Sequence, residues 1–278
     1  MTDHVQITTP IGTFDALSAG EPGDRPVLLL HGFPQASTEW SHQVAELGRS
    51  GFHAVAPDQR GYSPGARPPD VADYKMDELV GDVLAIADEL GWSRFDLVGH
   101  DWGAAVAWHT AAEHPDRLRT LTAVSSPHPA AIARAYKEDE DQRLRSQYIG
   151  VFQERSAEKR LLADNGAALR QLFEYRPPRS HIDDYITRLS EEGAMTAALN
   201  WYRAMKWNVA PEPVSVPTMF VWGTEDVAFG STAALGCDKW VAGAYRFEML
   251  EDLTHWIPEE APEALTALLL DHLGSPVS

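Results

Sequence analysis

The stretch LVGHDWGAAVAWH, Leu97 to His109, constrains this chain more than any other. An apolar run ends at Gly99, and small residues resume at Gly103 and Ala104. The pattern predicts a buried strand, a very tight turn and a helix. Strand and helix can pass this closely only where the backbone carries little side chain. The turn presents whatever stands at its tip beyond the carboxyl end of a sheet, and a serine nucleophile is the usual occupant. Here the tip is Asp101.

The surrounding text repeats strand and helix. HVQITT and TFDALSAG predict a hairpin, and VLLLHG, FHAVAPD, RFDLVGH and LRTLTAVSSP are short apolar runs of the kind buried on both faces of a sheet. Between them STEWSHQVAELGRSG, KMDELVGDVLAIADELG and GAAVAWHTAAEHP predict helices. Alternation of this type implies a mostly parallel sheet flanked by helices on both faces, an α/β fold. After Pro129 the rhythm breaks into charged, aromatic, helical text, and it resumes with TMFVWG, STAALGCDKWV, YRFEML and PEEAPEALTALLLDHL. The expected division is a first core segment over 1–129, an inserted helical cap over 130–212 and a second core segment over 213–278. Ligands of open α/β sheets bind beyond the carboxyl ends of the strands, so a cap inserted there roofs the site.

Charge narrows the partners. With 41 Asp and Glu against 23 Lys and Arg, the net charge of −18 repels phosphate backbones and anionic lipid surfaces. Nucleic acid and membrane are therefore not expected partners, and a small molecule is. The lone cysteine, Cys237, excludes an intrachain disulfide and a zinc cluster. No cofactor is expected. The opening residues MTDHVQITTP lack the basic-then-apolar pattern of a secretion leader, and no apolar run is long enough for a membrane span. The expected location is the cytoplasm, and both monomer and homodimer stay open.

Reactive residues follow the apolar runs. HGFP closes one, GHDWG brings Asp101, TEDVAF brings Asp226, and EDLTHW brings His255. The order nucleophile, acid, histidine is that of the serine-elbow hydrolases, with aspartate in place of serine. Glu225 competes with Asp226 for the acid role, and His31, His100 and His128 are expected to pack and hydrogen-bond rather than react. Backbone N–H groups of Trp102 and Phe33 complete an oxyanion hole, and the bond before Pro34 is a candidate for the cis form. The aspartate changes the chemistry. A carboxylate is already ionised and displaces a leaving group at saturated carbon, which leaves an ester on the enzyme. His255, oriented by Asp226, then activates water against that ester. A strained ether or a carbon–halogen bond suits this sequence of steps.

The motifs HGFPQASTEW, PDQRGYSPG, GHDWG, SSPHP, GTEDVAF and THWIPEEAP, spread over nearly the whole chain, resemble those of the α/β-hydrolase-fold epoxide hydrolases. The resemblance favours Asp226 over Glu225. It implies a covalent mechanism at Asp101 and two cap tyrosines that hold and protonate the epoxide oxygen. The matching positions are Tyr148 in QYIGVFQE and Tyr202 in LNWYRAMKW. Phe33, Trp102 and Trp201 are expected on the substrate pocket, whose shape also depends on Phe152, Phe173, Trp207 and Phe229. The expected substrates are a small apolar epoxide and water. A haloalkane or haloacid dehalogenase with the same triad is the alternative. Against it, Phe33 has no donor for a halide, and Trp102 stands where fluoroacetate dehalogenases carry arginine. A non-catalytic binding protein would have no use for the retained Asp226 and His255.

Overall fold

A computed structural model of the chain describes residues 2–174, 176–206 and 210–274. Trp207 lies outside the described residues. Eight strands form one sheet: β1 (Asp3–Thr8), β2 (Thr13–Ala19), β3 (Arg25–Leu30), β4 (Phe52–Pro57), β5 (Phe95–His100), β6 (Leu118–Val124), β7 (Thr218–Gly223) and β8 (Tyr245–Leu250). Their spatial order is β1-β2-β4-β3-β5-β6-β7-β8. β2 pairs antiparallel with both β1 and β4, and every other pairing is parallel.

The apolar runs have a direct physical reason. Side chains alternate across a strand, so a strand covered on both faces needs apolar residues at every position. In β3, Leu28 and Leu30 join the cluster that holds Leu97 and Trp108. Val27 and Leu29 join the other, with Val98 and Trp40. Helices α1 (Ser41–Arg49), α2 (Met76–Glu89) and α3 (Trp102–Glu113) connect the early strands.

Between β6 and β7 lie α4 (Pro129–Glu138), α5 (Glu140–Arg145), α6 (Gln147–Gln153), α7 (Ala157–Leu172), α8 (Arg179–Leu189) and α9 (Ala194–Ala204). The long charged stretch that opens this insertion is broken where its side chains compete with the backbone. Asp139 turns extended and accepts the Asp141 N–H, ending α4 and capping α5. In α7, residues Asp164, Asn165 and Gly166 take left-handed conformations and kink the helix. The chain closes with α10 (Ser231–Leu235), α11 (Ile257–Glu260) and α12 (Pro262–Gly274). No described helix is long and apolar enough to cross a membrane.

Candidate active site

The turn after β5 is as tight as its glycines require. A Cβ on Gly99 would lie 2.3 Å from the Gly103 carbonyl oxygen, and one on Gly103 would lie 2.1 Å from that of Leu30. Asp101 sits at φ 50°, ψ −117°, a conformation side chains avoid, at a cost on the order of 1–3 kcal/mol. That backbone lifts its carboxylate above β3, where Gly32 makes room: a Cβ there would come within 2.4 Å of the Asp101 Cβ. Oδ1 of Asp101 accepts the Phe33 N–H at 2.9 Å. The Phe33–Pro34 bond is cis. Trp102 opens α3, so its N–H belongs to the unpaired first turn.

The acid and histidine come from neighbouring strand ends. Asp226, just after β7, receives the N–H groups of Ala228 (2.7 Å) and Phe229 (2.9 Å) on Oδ1 and faces His255 Nδ1 with Oδ2 at 2.9 Å. His255 Nε2 lies 3.4 Å from Asp101 Oδ2. The imidazole thus stands between two buried carboxylates. Although burial opposes charge on it, Asp226 and Asp101 together push its pKa up to about 10. Asp101 is held below the usual carboxylate range: burial acts against ionisation, but its contacts with His255 and the Phe33 N–H outweigh that. Glu225 is exposed and stays apart from this group.

The reacting carboxylate opens into a cavity of about 310 Å³, lined by Asp101, Trp102, Tyr148, Trp201, Tyr202 and Phe229 among others. The rings of Tyr148 and Tyr202 are 6.3 Å apart, and Trp102 meets Tyr202 edge-on at 5.1 Å. Burial, then the charge of Asp101, raises both phenol pKa values, so both remain donors. Phe33, expected on the pocket, stands behind its wall, as do Phe152 and Phe173, whose packing was expected to shape it. Phe33 packs on Phe152 and Tyr202, Phe152 also on Tyr148, and Phe173 on Tyr185 and Trp256. Trp201 donates its indole N–H to the Arg60 carbonyl, which ties α9 to the loop after β4.

The expected bystander histidines are anchored. His31 Nδ1 bonds the Gly32 carbonyl at 2.9 Å, and Nε2 accepts the Gln59 N–H at 3.0 Å, fixing the loop that carries Phe33. His128 Nδ1 accepts the Ala130 N–H and caps α4. Sequence reasoning missed Gln142. It is buried inside the acidic run over 137–143, donates to the Ala228 carbonyl and accepts the Gly230 N–H. It therefore braces the loop of Asp226. It also missed His109 on the cavity wall, paired with Glu113 at 3.1 Å, and Glu39, buried against His100. Glu39 and His109 lie inside stretches quoted above, but neither stretch marks them as buried beside the site, and Gln142 lies outside every motif.

A family profile described as alpha/beta hydrolase fold matches residues 25–262. The chain is 32% identical to epoxide hydrolase A of Mycobacterium tuberculosis, over 92% of each chain. It is 31% identical to the AB hydrolase superfamily protein YfhM of Bacillus subtilis, over 94% of each. The crystal structure of the Bacillus megaterium epoxide hydrolase with an inhibitor superposes with a TM-score of 0.90 at 27% identity, covering 98% of this chain and all of that one. With the elbow at Asp101, the strand order and these relatives in agreement, the chain belongs to the alpha/beta hydrolase fold family, in the branch that contains the epoxide hydrolases.

Proposed function

We propose that the chain converts an epoxide and water into a vicinal diol through an ester on Asp101, without a cofactor. The observation that carries this reading is a buried, ionised carboxylate with one oxygen held by a backbone N–H and the other facing a cavity walled by two protonated phenols.

Oδ2 of Asp101 attacks an epoxide carbon. The carbon–oxygen bond of the ring breaks, and its electron pair goes to the ring oxygen. Tyr148 and Tyr202 stabilise the developing alkoxide and deliver its proton. Ester formation removes the negative charge of Asp101, and with it one of the two causes that raise the pKa of His255. Its proton affinity falls, its proton passes to the phenolate left by ring opening, and the neutral imidazole becomes a base. It takes a proton from water, the hydroxide adds to Cγ of Asp101, and negative charge collects on Oδ1. The Phe33 N–H already occupies the position that stabilises this charge, and the Trp102 N–H is the second donor. Collapse of the adduct expels the alkoxide, which takes the proton from His255 to give the diol; the carboxyl proton then passes to His255 and restores the carboxylate–imidazolium pair.

A dehalogenase would need donors for a leaving halide rather than two phenols. The pair of tyrosines at the cavity favours the epoxide. The helices over 130–212 act as the cap, and 1–129 with 213–278 form the core. A buried free Cys237 suits a reducing cytoplasm. The test is diol formation from styrene oxide by the wild type, Asp101→Ala and Tyr202→Phe. Diol from the wild type is expected, with none from Asp101→Ala and a loss of about 10²-fold in Tyr202→Phe. Halide release from bromoalkanes with no diol from any epoxide would replace this reading by the dehalogenase one.

A further inference from the structure

Behind the proposed base lies a second buried carboxyl group that the steps above do not use. Glu39 stands in the short turn Ser37–Trp40, and its side chain is fully enclosed. Its Oε2 lies 3.1 Å from His100 Nδ1, and His100 Nε2 lies 2.8 Å from the backbone carbonyl of His255. The Ser125 hydroxyl donates to the same carbonyl at 2.8 Å.

The tautomer follows from what each atom can do. A carbonyl oxygen only accepts, so His100 Nε2 carries a proton. If His100 is neutral, its Nδ1 offers a lone pair, and Glu39 must supply the proton between them. The surroundings favour this neutral arrangement over an ion pair. Oε1 of Glu39 makes no well-formed hydrogen bond, and an under-satisfied oxygen is far more costly on a buried carboxylate than on a neutral acid. Burial, Glu259 and Asp101 push the Glu39 pKa well above the usual range and outweigh the Gly32 N–H and the charge of His255, which act the other way. Burial and the charge of His255 lower that of His100 to about 4.

We propose that Glu39 is a positioning residue: as an uncharged acid it donates to His100, which with Ser125 clamps the carbonyl of His255 and so sets the base for ester hydrolysis. This rests on the ester mechanism proposed above. The clamp has no part in the attack by Asp101, so the two half-reactions separate its effect. Neutrality matters as well. An ionised Glu39 would be a further negative charge behind His255 and would keep the imidazole protonated when a base is needed.

The test is rapid mixing of each enzyme with styrene oxide, with chemical quenching and mass analysis of the peptide that contains Asp101. In Glu39→Ala, ester formation is expected to match the wild type, while ester hydrolysis slows by about tenfold, so the ester accumulates. Glu39→Gln, neutral and able to donate from its amide, is expected to keep the wild-type rates and ester level. Three results would overturn the proposal: Glu39→Ala with both steps unchanged, Glu39→Ala with both slowed in parallel, or Glu39→Gln as impaired as Glu39→Ala. The last would mean that the charge is required. Wild type that forms no ester from any epoxide would contradict the ester mechanism itself, and this role would fall with it.

Discussion

His255 carries two carboxylates within reach, and its charge state decides which half of the cycle can run. Its pKa in the folded chain, about 10, lies above the ordinary 6.5. The stabilisation that its charge brings is therefore complete below pH 6.5 and lost as the pH rises through 10. Replacing Asp101 by Asn removes one cause of the shift, so the imidazole pKa is expected to fall. Following the His255 resonance by NMR against pH measures this directly, and an unchanged midpoint would mean that Asp101 does not act on it. Asp101, Asp226 and His255 were legible in the sequence because each follows an apolar run at a strand end, although the choice of Asp226 over the adjacent Glu225 came from the family resemblance. Glu39, Gln142 and His109 were not. Glu39 and Gln142 are polar and buried for reasons set by partners distant in sequence, of which linear spacing carries no trace; His109 pairs with Glu113 one turn along its own helix, a spacing that looks the same on a solvated face.

At the scale of elements, the elbow depends on three close approaches of backbone to backbone or to Asp101. Gly99→Ala puts a methyl group 2.3 Å from a carbonyl oxygen, and no side chain can move aside there. Loss of soluble folded protein is expected, measured as a lost cooperative unfolding transition; a wild-type melting curve would contradict the packing described. Helix α8 is held to the core differently. Glu259, buried on α11, accepts from Gln35, from His181 at 2.7 Å and from Tyr185 at 2.8 Å, and Arg188 reaches Asp58 at 2.8 Å. Glu259→Ala leaves the buried donors of Gln35 and Tyr185 unpaired, while the partly exposed His181 can turn to water. A loss of about 3 kcal/mol is expected in denaturant unfolding. The strands were read from their apolar runs with little error, because burial on both faces writes itself on every position. The helical insertion was read as helical, but its break at Asp139 was not, since a side chain that caps a helix and one that sits on its solvated face look alike in sequence.

At the scale of the whole molecule, the excess of 18 negative charges works against the compact state, because the same charges are farther apart in the unfolded chain. Raising the salt concentration screens that repulsion. A gain of about 1 kcal/mol, or roughly 2–4 °C in Tm, is expected between low and moderate ionic strength. A Tm that falls with salt would mean that the ion pairs at the surface outweigh the repulsion. Substrate enters a cavity enclosed between the α/β core and the helices that follow β6, so the acidic exterior and the apolar interior answer to different demands.

The central claim is that the oxygen delivered to the epoxide comes from Asp101 and that water repairs the enzyme. A single turnover with enzyme in excess over styrene oxide, run in heavy-oxygen water, tests it most directly. The account expects the heavy oxygen in the peptide that contains Asp101 and none in the first equivalent of diol. Heavy oxygen in that diol, with the Asp101 peptide unlabelled, would mean that water attacks the epoxide directly and that no ester forms.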